Sequence, residues 1–153
     1  MQDSAERSRN RATVEAFLNV FPEGDEGFFQ ARKRLGLIAD DYVFELPYAP
    51  PGVRSVDKGD DHERRGKWLA KTFVTWRRTK GPVIYETTDP GVFWVEASGE
   101  GTARFWGDEE SPYRQDFVIM FVVHEGKVRL FREYFNPLRF YAEGTFPELT
   151  FHG

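Results

Sequence analysis

Apolar residues follow two rhythms along this chain, a helical one as far as Trp76 and an alternating one after Gly81-Pro82. Val14, Phe17, Leu18 and Phe21 fall on one helical stripe, and Asp3-Ser4 can cap its start, which predicts a first helix to about Val20. Pro22-Glu23-Gly24-Asp25 ends that helix and opens a second, roughly Glu26 to Leu35, with Phe28, Ala31 and Leu35 on a shared face. Asp41 to Pro47 reads as a short strand, and Pro47, Pro50, Pro51 and Gly52 then force a loop. Asp60-Asp61 can cap a third helix, about His62 to Trp76. Its apolar stripe is Trp68, Leu69, Phe73 and Trp76, with Arg64, Arg65, Lys67 and Lys71 mostly outside.

Beyond Gly81-Pro82 the segments Val83–Thr88, Val92–Ala97, Thr102–Trp106, Arg114–Val123 and Lys127–Phe135 all read as strands. Short turn-forming stretches separate them, among them Asp89-Pro90-Gly91, Ser98-Gly99-Glu100-Gly101 and His124-Glu125-Gly126. Connections this short make hairpins, so the sheet is expected to be largely antiparallel. Helices first and strands after is the α+β pattern, and an antiparallel sheet curled over helices leaves a concave pocket.

A length of 153 residues fits one domain over the whole chain, and no repeat or linker divides it. Aromatics are high at 16%, with fifteen Phe, which suits either an aromatic core or walls around a flat apolar ligand. The net charge of −4 argues against nucleic-acid binding. The basic runs at Arg7–Arg11, Arg32–Arg34 and Arg77–Lys80 read as solvated helix faces. With no Cys, disulfides and thiol nucleophiles are excluded. No apolar run approaches the ~20 residues needed to span a bilayer. No signal peptide is visible, so a cytoplasmic protein without membrane partners is expected. His62, His124 and His152 are scattered without zinc-ligand spacing, and no phosphate loop or nucleophile elbow is present.

One residue stands out chemically. Glu133 is a lone carboxylate between Phe131, Tyr134 and Phe135 on the last strand. Strand alternation puts Arg129, Phe131 and Phe135 on its face and Arg132 on the other. If that face is buried, desolvation raises the carboxyl toward neutrality, as a general acid/base near pH 7 requires. A buried ion pair and an exposed Glu are the alternatives. Tyr48, Trp68, Trp94 and Trp106 read either as core or as pocket lining, and His62 either as a surface helix residue or as a pocket group.

The order of elements resembles the cone-shaped nuclear transport factor 2-like fold in its SnoaL-like branch. Within it, the chain is similar to the phenazine-biosynthesis PhzA/PhzB proteins. Arg9-Asn10-Arg11-Ala12-Thr13-Val14-Glu15 is like their first helix. Asp89-Pro90 with Phe93-Trp94-Val95-Glu96 is like their central strand. Gly99-Glu100-Gly101, Glu125-Gly126-Lys127 and Arg132-Glu133 continue the match, and Glu45-Leu46-Pro47-Tyr48-Ala49-Pro50-Pro51-Gly52 is like a loop of other SnoaL-like members. The resemblance implies a curved, mostly antiparallel sheet covered by three N-terminal helices, and a homodimer without metal or cofactor. Its pocket would perform acid/base steps on a small cyclic carbonyl or carboxylate metabolite. It further implies Glu133 as the key acid/base, Arg34 as clamp for a substrate carboxylate and Tyr113 as a catalytic group of the pocket, whose functional reading is a hydrogen-bond donor to a carbonyl or enolate oxygen. Without the resemblance, Arg34 reads as part of a solvated face and Tyr113 as closing a turn after Pro112. Trp68, Tyr48, Phe131 and Phe135 complete the expected lining.

The chain departs from the family at one place. The His and Ser that the phenazine proteins carry on the third helix fall on Gly66 and Ala70, or on Arg65 and Leu69. His62 lies one turn away. That departure leaves open a non-catalytic binding protein or a dimeric scaffold of the same fold.

Overall fold

The computed structural model describes residues 2–141. The chain runs through α1 (Gln2–Leu18), α2 (Phe28–Arg34), β1 (Ile38–Glu45), β2 (Val56–Lys58), α3 (Asp61–Thr72), β3 (Phe73–Glu86), β4 (Val92–Ala103), β5 (Ser111–His124) and β6 (Lys127–Tyr134), then a 3-10 turn at Pro137–Phe140. The six strands form one sheet in the order β2-β1-β6-β5-β4-β3. All neighbours are antiparallel except β1 and β6. Among the described residues, no helix is long and apolar enough to cross a membrane.

α1 lies against β5 and β6 and buries Val14 and Phe17 completely. The Phe17 ring meets Phe121 edge-on at 5.3 Å and Phe131 at 5.6 Å, anchoring a core with Val95, Ile119 and Val128. The first-helix motif explains itself structurally. Buried Asn10 donates to the Pro90 carbonyl at 3.2 Å and accepts from the Gly126 N–H at 3.2 Å, while the Thr13 hydroxyl donates to the Gly126 carbonyl at 2.9 Å. These contacts fasten the helix to two hairpin tips. Glu125 and Gly126 both have positive φ (50° and 74°), as a two-residue hairpin turn requires. A second cluster at the other end of the sheet gathers Leu46, Ala103, Tyr113, Phe135 and Phe140.

Several boundaries differ from the sequence expectation. α1 stops at Leu18, so Phe21 never joins the stripe and is 86% exposed. On α2 only Ala31 is buried, and Phe28 and Leu35 face outward. α3 ends at Thr72 and passes straight into β3, so Trp76 belongs to a strand. The β-branched Val74 and Thr75 favour that change of state. Arg77–Lys80 therefore lies along an exposed strand rather than on a helix face. The Ser98–Gly101 stretch is not a turn: it lies inside the continuous β4. Glycine is needed there for close approach, because a Cβ at Gly99 would fall inside the Trp76 ring and one at Gly101 would collide with the Thr75 carbonyl. β2 has three residues and gave no periodic signal.

Candidate functional site

The strand that carries Glu133 contains a register shift. Leu130 pairs with Val122 but Val128 with Val123, so Arg129 is the extra residue of a bulge. Arg129 is consequently exposed and pairs with Asp41 at 2.5 Å; it does not share the face of Glu133 as simple alternation predicts. Beyond the bulge, alternation is regular. Phe131, Glu133 and Phe135 point inward, opposite Phe121 and Ile119 of β5. Phe131 belongs to the first aromatic cluster and Phe135 to the second, so Glu133 sits between the two.

Glu133 is half-buried between the two clusters, and its carboxyl oxygens are not sealed off completely. Desolvation is the dominant effect and raises its pKa from 4.5 to about 7, with the Arg32 and Arg65 cations pulling weakly the other way. Among the described residues, none donates a hydrogen bond to it. A carboxyl held at half-ionisation near neutral pH, with its oxygens unspent, can take a proton and return it.

Of the second-helix cations, Arg32 is the one in the field of Glu133. The Arg32 guanidinium stacks on the Phe17 ring at 3.8 Å and donates to the Phe17 carbonyl at 3.3 Å. Burial lowers its pKa to about 10, which leaves it charged at neutral pH, and the Glu133 charge partly offsets that lowering. Arg34, two residues on and therefore about 200° around the helix, is exposed and held by Glu26 at 2.6 Å and Glu23 at 3.8 Å. Arg34→Ala should consequently leave both stability and ligand affinity nearly unchanged, as urea titration and a binding isotherm would show.

Tyr42 of β1 lies in the core beside His62, their rings 4.9 Å apart, and burial pushes its phenol well up. His62 is buried, stacked on Phe29 at 4.5 Å, with Nε2 donating to the Tyr42 carbonyl at 3.2 Å. It is a packed interior imidazole rather than a surface residue. Tyr113 is 5% exposed, among Phe73, Trp76, Phe105 and Phe140. Burial raises its phenol, Gln115 donates a hydrogen bond that opposes the rise, and the Glu133 charge adds to it.

Trp68 is partly buried against Phe73 and Arg65. It lines a cavity of about 180 Å³ with Gly52, Arg54, Asp57 and Arg65. At its base Arg65 grips the fully buried Asp57 with two bonds, 2.7 and 3.2 Å. Arg65 reaches both this cavity and the field of Glu133. Tyr48, in contrast, is 56% exposed and meets Tyr134 edge-on at 5.5 Å, so it does not line the interior. Trp94 shares that outer grouping with Tyr134 at 6.2 Å. Trp106 is 68% exposed in the β4–β5 connection, its indole donating to the Phe140 carbonyl at 2.8 Å. His124 is exposed at the end of β5, and His152 lies outside the described residues.

Arg32, Tyr42, Gln115 and the Asp57–Arg65 pair were not singled out from the sequence. The position of Arg32 beside buried Ala31 could have found the first. Asp57 on a three-residue strand carries no pattern to read.

A curved sheet of this order, with helices over its concave face and an acid inside, defines the nuclear transport factor 2-like class. A nuclear transport factor 2-like protein from Burkholderia xenovorans shares the fold, with a TM-score of 0.61 at 18% identity over 87% of this chain and 93% of that one. The model of the phenazine biosynthesis protein A/B family matches residues 1–145, and the chain belongs to that family. It is 31% identical over 134 residues to phenazine biosynthesis protein PhzA2 of Pseudomonas aeruginosa, covering 87% of this chain and 78% of that protein. The crystal structure of a phenazine biosynthesis-related protein, phzb2, of the same species superposes with a TM-score of 0.77 at 27% identity, covering 99% and 95% of the two chains.

Proposed function

We propose that this protein is an acid/base catalyst of secondary-metabolite biosynthesis that needs no cofactor, acting on a small cyclic carbonyl or carboxylate compound. The observation that carries this reading is Glu133, a half-buried carboxyl between two aromatic clusters to which none of the described residues donates a hydrogen bond, its pKa raised to about 7 by desolvation. In the proposed reaction the carboxylate takes a proton from carbon next to a carbonyl, and the electron pair moves onto oxygen. The protonated carboxyl then returns the proton elsewhere, or gives it to a departing hydroxyl. Arg32 holds an anionic group from the α2 side, and Tyr113 hydrogen-bonds the oxygen. Membership of a family whose relatives bear the name phenazine biosynthesis protein supports a place among such pathways.

The experiment is deuterium uptake by cyclohexanone and 1,3-cyclohexanedione in D2O, followed by NMR. Uptake should depend on Glu133 and vanish in Glu133→Gln; uptake that survives the substitution, or is absent from the wild type, removes the assignment. A binding protein without chemistry is the second reading. It is favoured by α3, where Arg65 and Leu69, or Gly66 and Ala70, stand in place of the family's His and Ser, and where Arg65 is committed to Asp57. Two copies would meet through the outer sheet face, where Val83, Tyr85 and Val118 are exposed. Sedimentation should give a dimer mass that Val118→Glu reduces to the monomer, and a wild-type monomer mass would rule the dimer out.

A further inference from the structure

Gln115 is fully buried on β5, two residues after Tyr113 and on the same face of the strand. Its side-chain oxygen accepts from two backbone N–H groups, Asn136 at 3.0 Å and Asp116 at 3.2 Å. A backbone N–H can only donate, so these contacts decide which end of the amide is oxygen. The NH2 end must therefore donate. Its partners are the Asn136 carbonyl at 2.9 Å and the Tyr113 hydroxyl oxygen at 3.0 Å. Tyr113 thus accepts from Gln115, and its single proton is left to give. Among the described residues, none takes it.

We propose that Gln115 is a positioning residue that fixes Tyr113 as a hydrogen-bond donor to a carbonyl or enolate oxygen held inside the cone. This rests on the cone interior being a ligand site, as proposed above. Clamping the β6 corner at Asn136 uses one donor and one acceptor of the amide. The second N–H, on Tyr113, is surplus to that clamp and does something else: it leaves the phenol no choice of role. The interior then holds two groups of opposite character, Glu133 to take a proton from carbon and Tyr113 to stabilise the negative charge that appears on oxygen. A donor preset for that oxygen spends no reorganisation energy during the reaction. The ligand class that fits is one with a carbonyl next to an acidic C–H.

Ultraviolet Raman spectra test the assignment on the protein alone. The wild type minus Tyr113→Phe difference isolates the phenol ring doublet, which reports whether the oxygen accepts or donates. An acceptor pattern is expected in the wild type. In Gln115→Glu an ionised side chain can only accept, so the pattern should turn to donor, and Gln115→Met, which fills the site without a donor, should also lose the acceptor pattern. A donor pattern in the wild type, or a doublet unmoved in both variants, overturns the proposal. In the cyclohexanone exchange assay Tyr113→Phe should slow uptake roughly hundred-fold. Gln115→Glu should match it, and the double variant should be no slower than Tyr113→Phe. Losses that multiply in the double variant overturn the link between the two residues. A wild type without exchange activity would sink the catalytic reading, and the spectra would still decide the role of Gln115.

Discussion

Glu133→Gln should lower turnover about 10²–10⁴-fold and at the same time make the protein more stable above neutral pH. The two effects have one origin. The native carboxyl has its pKa raised from 4.5 to about 7, so the folded state holds its proton more tightly than the unfolded chain does. A group raised in this way contributes its full stability below about pH 4.5 and loses it as pH rises through about 7. The whole loss is about 3 kcal/mol, since each pKa unit is worth about 1.4 kcal/mol. Glutamine has nearly the same shape as the protonated acid and does not ionise. Urea unfolding of the two proteins should therefore give equal midpoints near pH 4 and a gap that opens between pH 5 and 8 in favour of Gln. A gap that is constant with pH, or one of opposite sign, would show that the carboxyl is not desolvated in the folded protein. Together the two measurements describe a residue that the fold tolerates at a cost of stability, which is the usual mark of a functional group.

Arg65→Met should destabilise the fold by about 3–5 kcal/mol. Asp57 is only 1% exposed and Arg65 10%, and the guanidinium spans both carboxylate oxygens and also donates to the Arg54 carbonyl. Removing the cation leaves a carboxylate sealed in the interior with nothing to offset its desolvation. Taking both charges out, in Asp57→Leu/Arg65→Met, should recover most of the loss, because the intact pair itself contributes little beyond neutralising its own burial. A single variant within about 1 kcal/mol of the wild type by urea midpoint would show that water reaches the pair. The substitution also carries a functional readout. Arg65 pulls the Glu133 pKa down, so its loss should move the acid limb of the exchange pH profile upward.

These two residues differ in how readable they were. Glu133 was visible because strand alternation and its aromatic neighbours are both local, and local rules hold wherever the strand stays regular. Arg129, four residues earlier, broke the same rule because a bulge inserted one residue, and nothing in Lys127–Phe135 marks it. Arg65 looked like one more solvated helix charge, since its partner Asp57 lies on a strand too short to have a pattern. The resemblance points to Arg34; on a helix of seven residues with one buried position, the phase of the helix against the sheet decides which basic side chain lies near Glu133.

Legible in the chain alone were the three helices ahead of an antiparallel run of strands, the α+β class, the β5–β6 turn and the one carboxylate set among aromatics. Those follow from short-range sterics and from the spacing of apolar residues, which the chain carries whatever its partners. Folding alone settles that β4 runs unbroken through Gly99 and Gly101, that Arg32 turns inward and that the Gln115 amide is pinned by Asn136. Each of these depends on a group distant in sequence: the Trp76 ring over Gly99, the Phe17 ring under Arg32, and the corner after β6 beside Gln115. Contacts between distant residues leave no period in a single chain, so they become visible only when the sheet has closed.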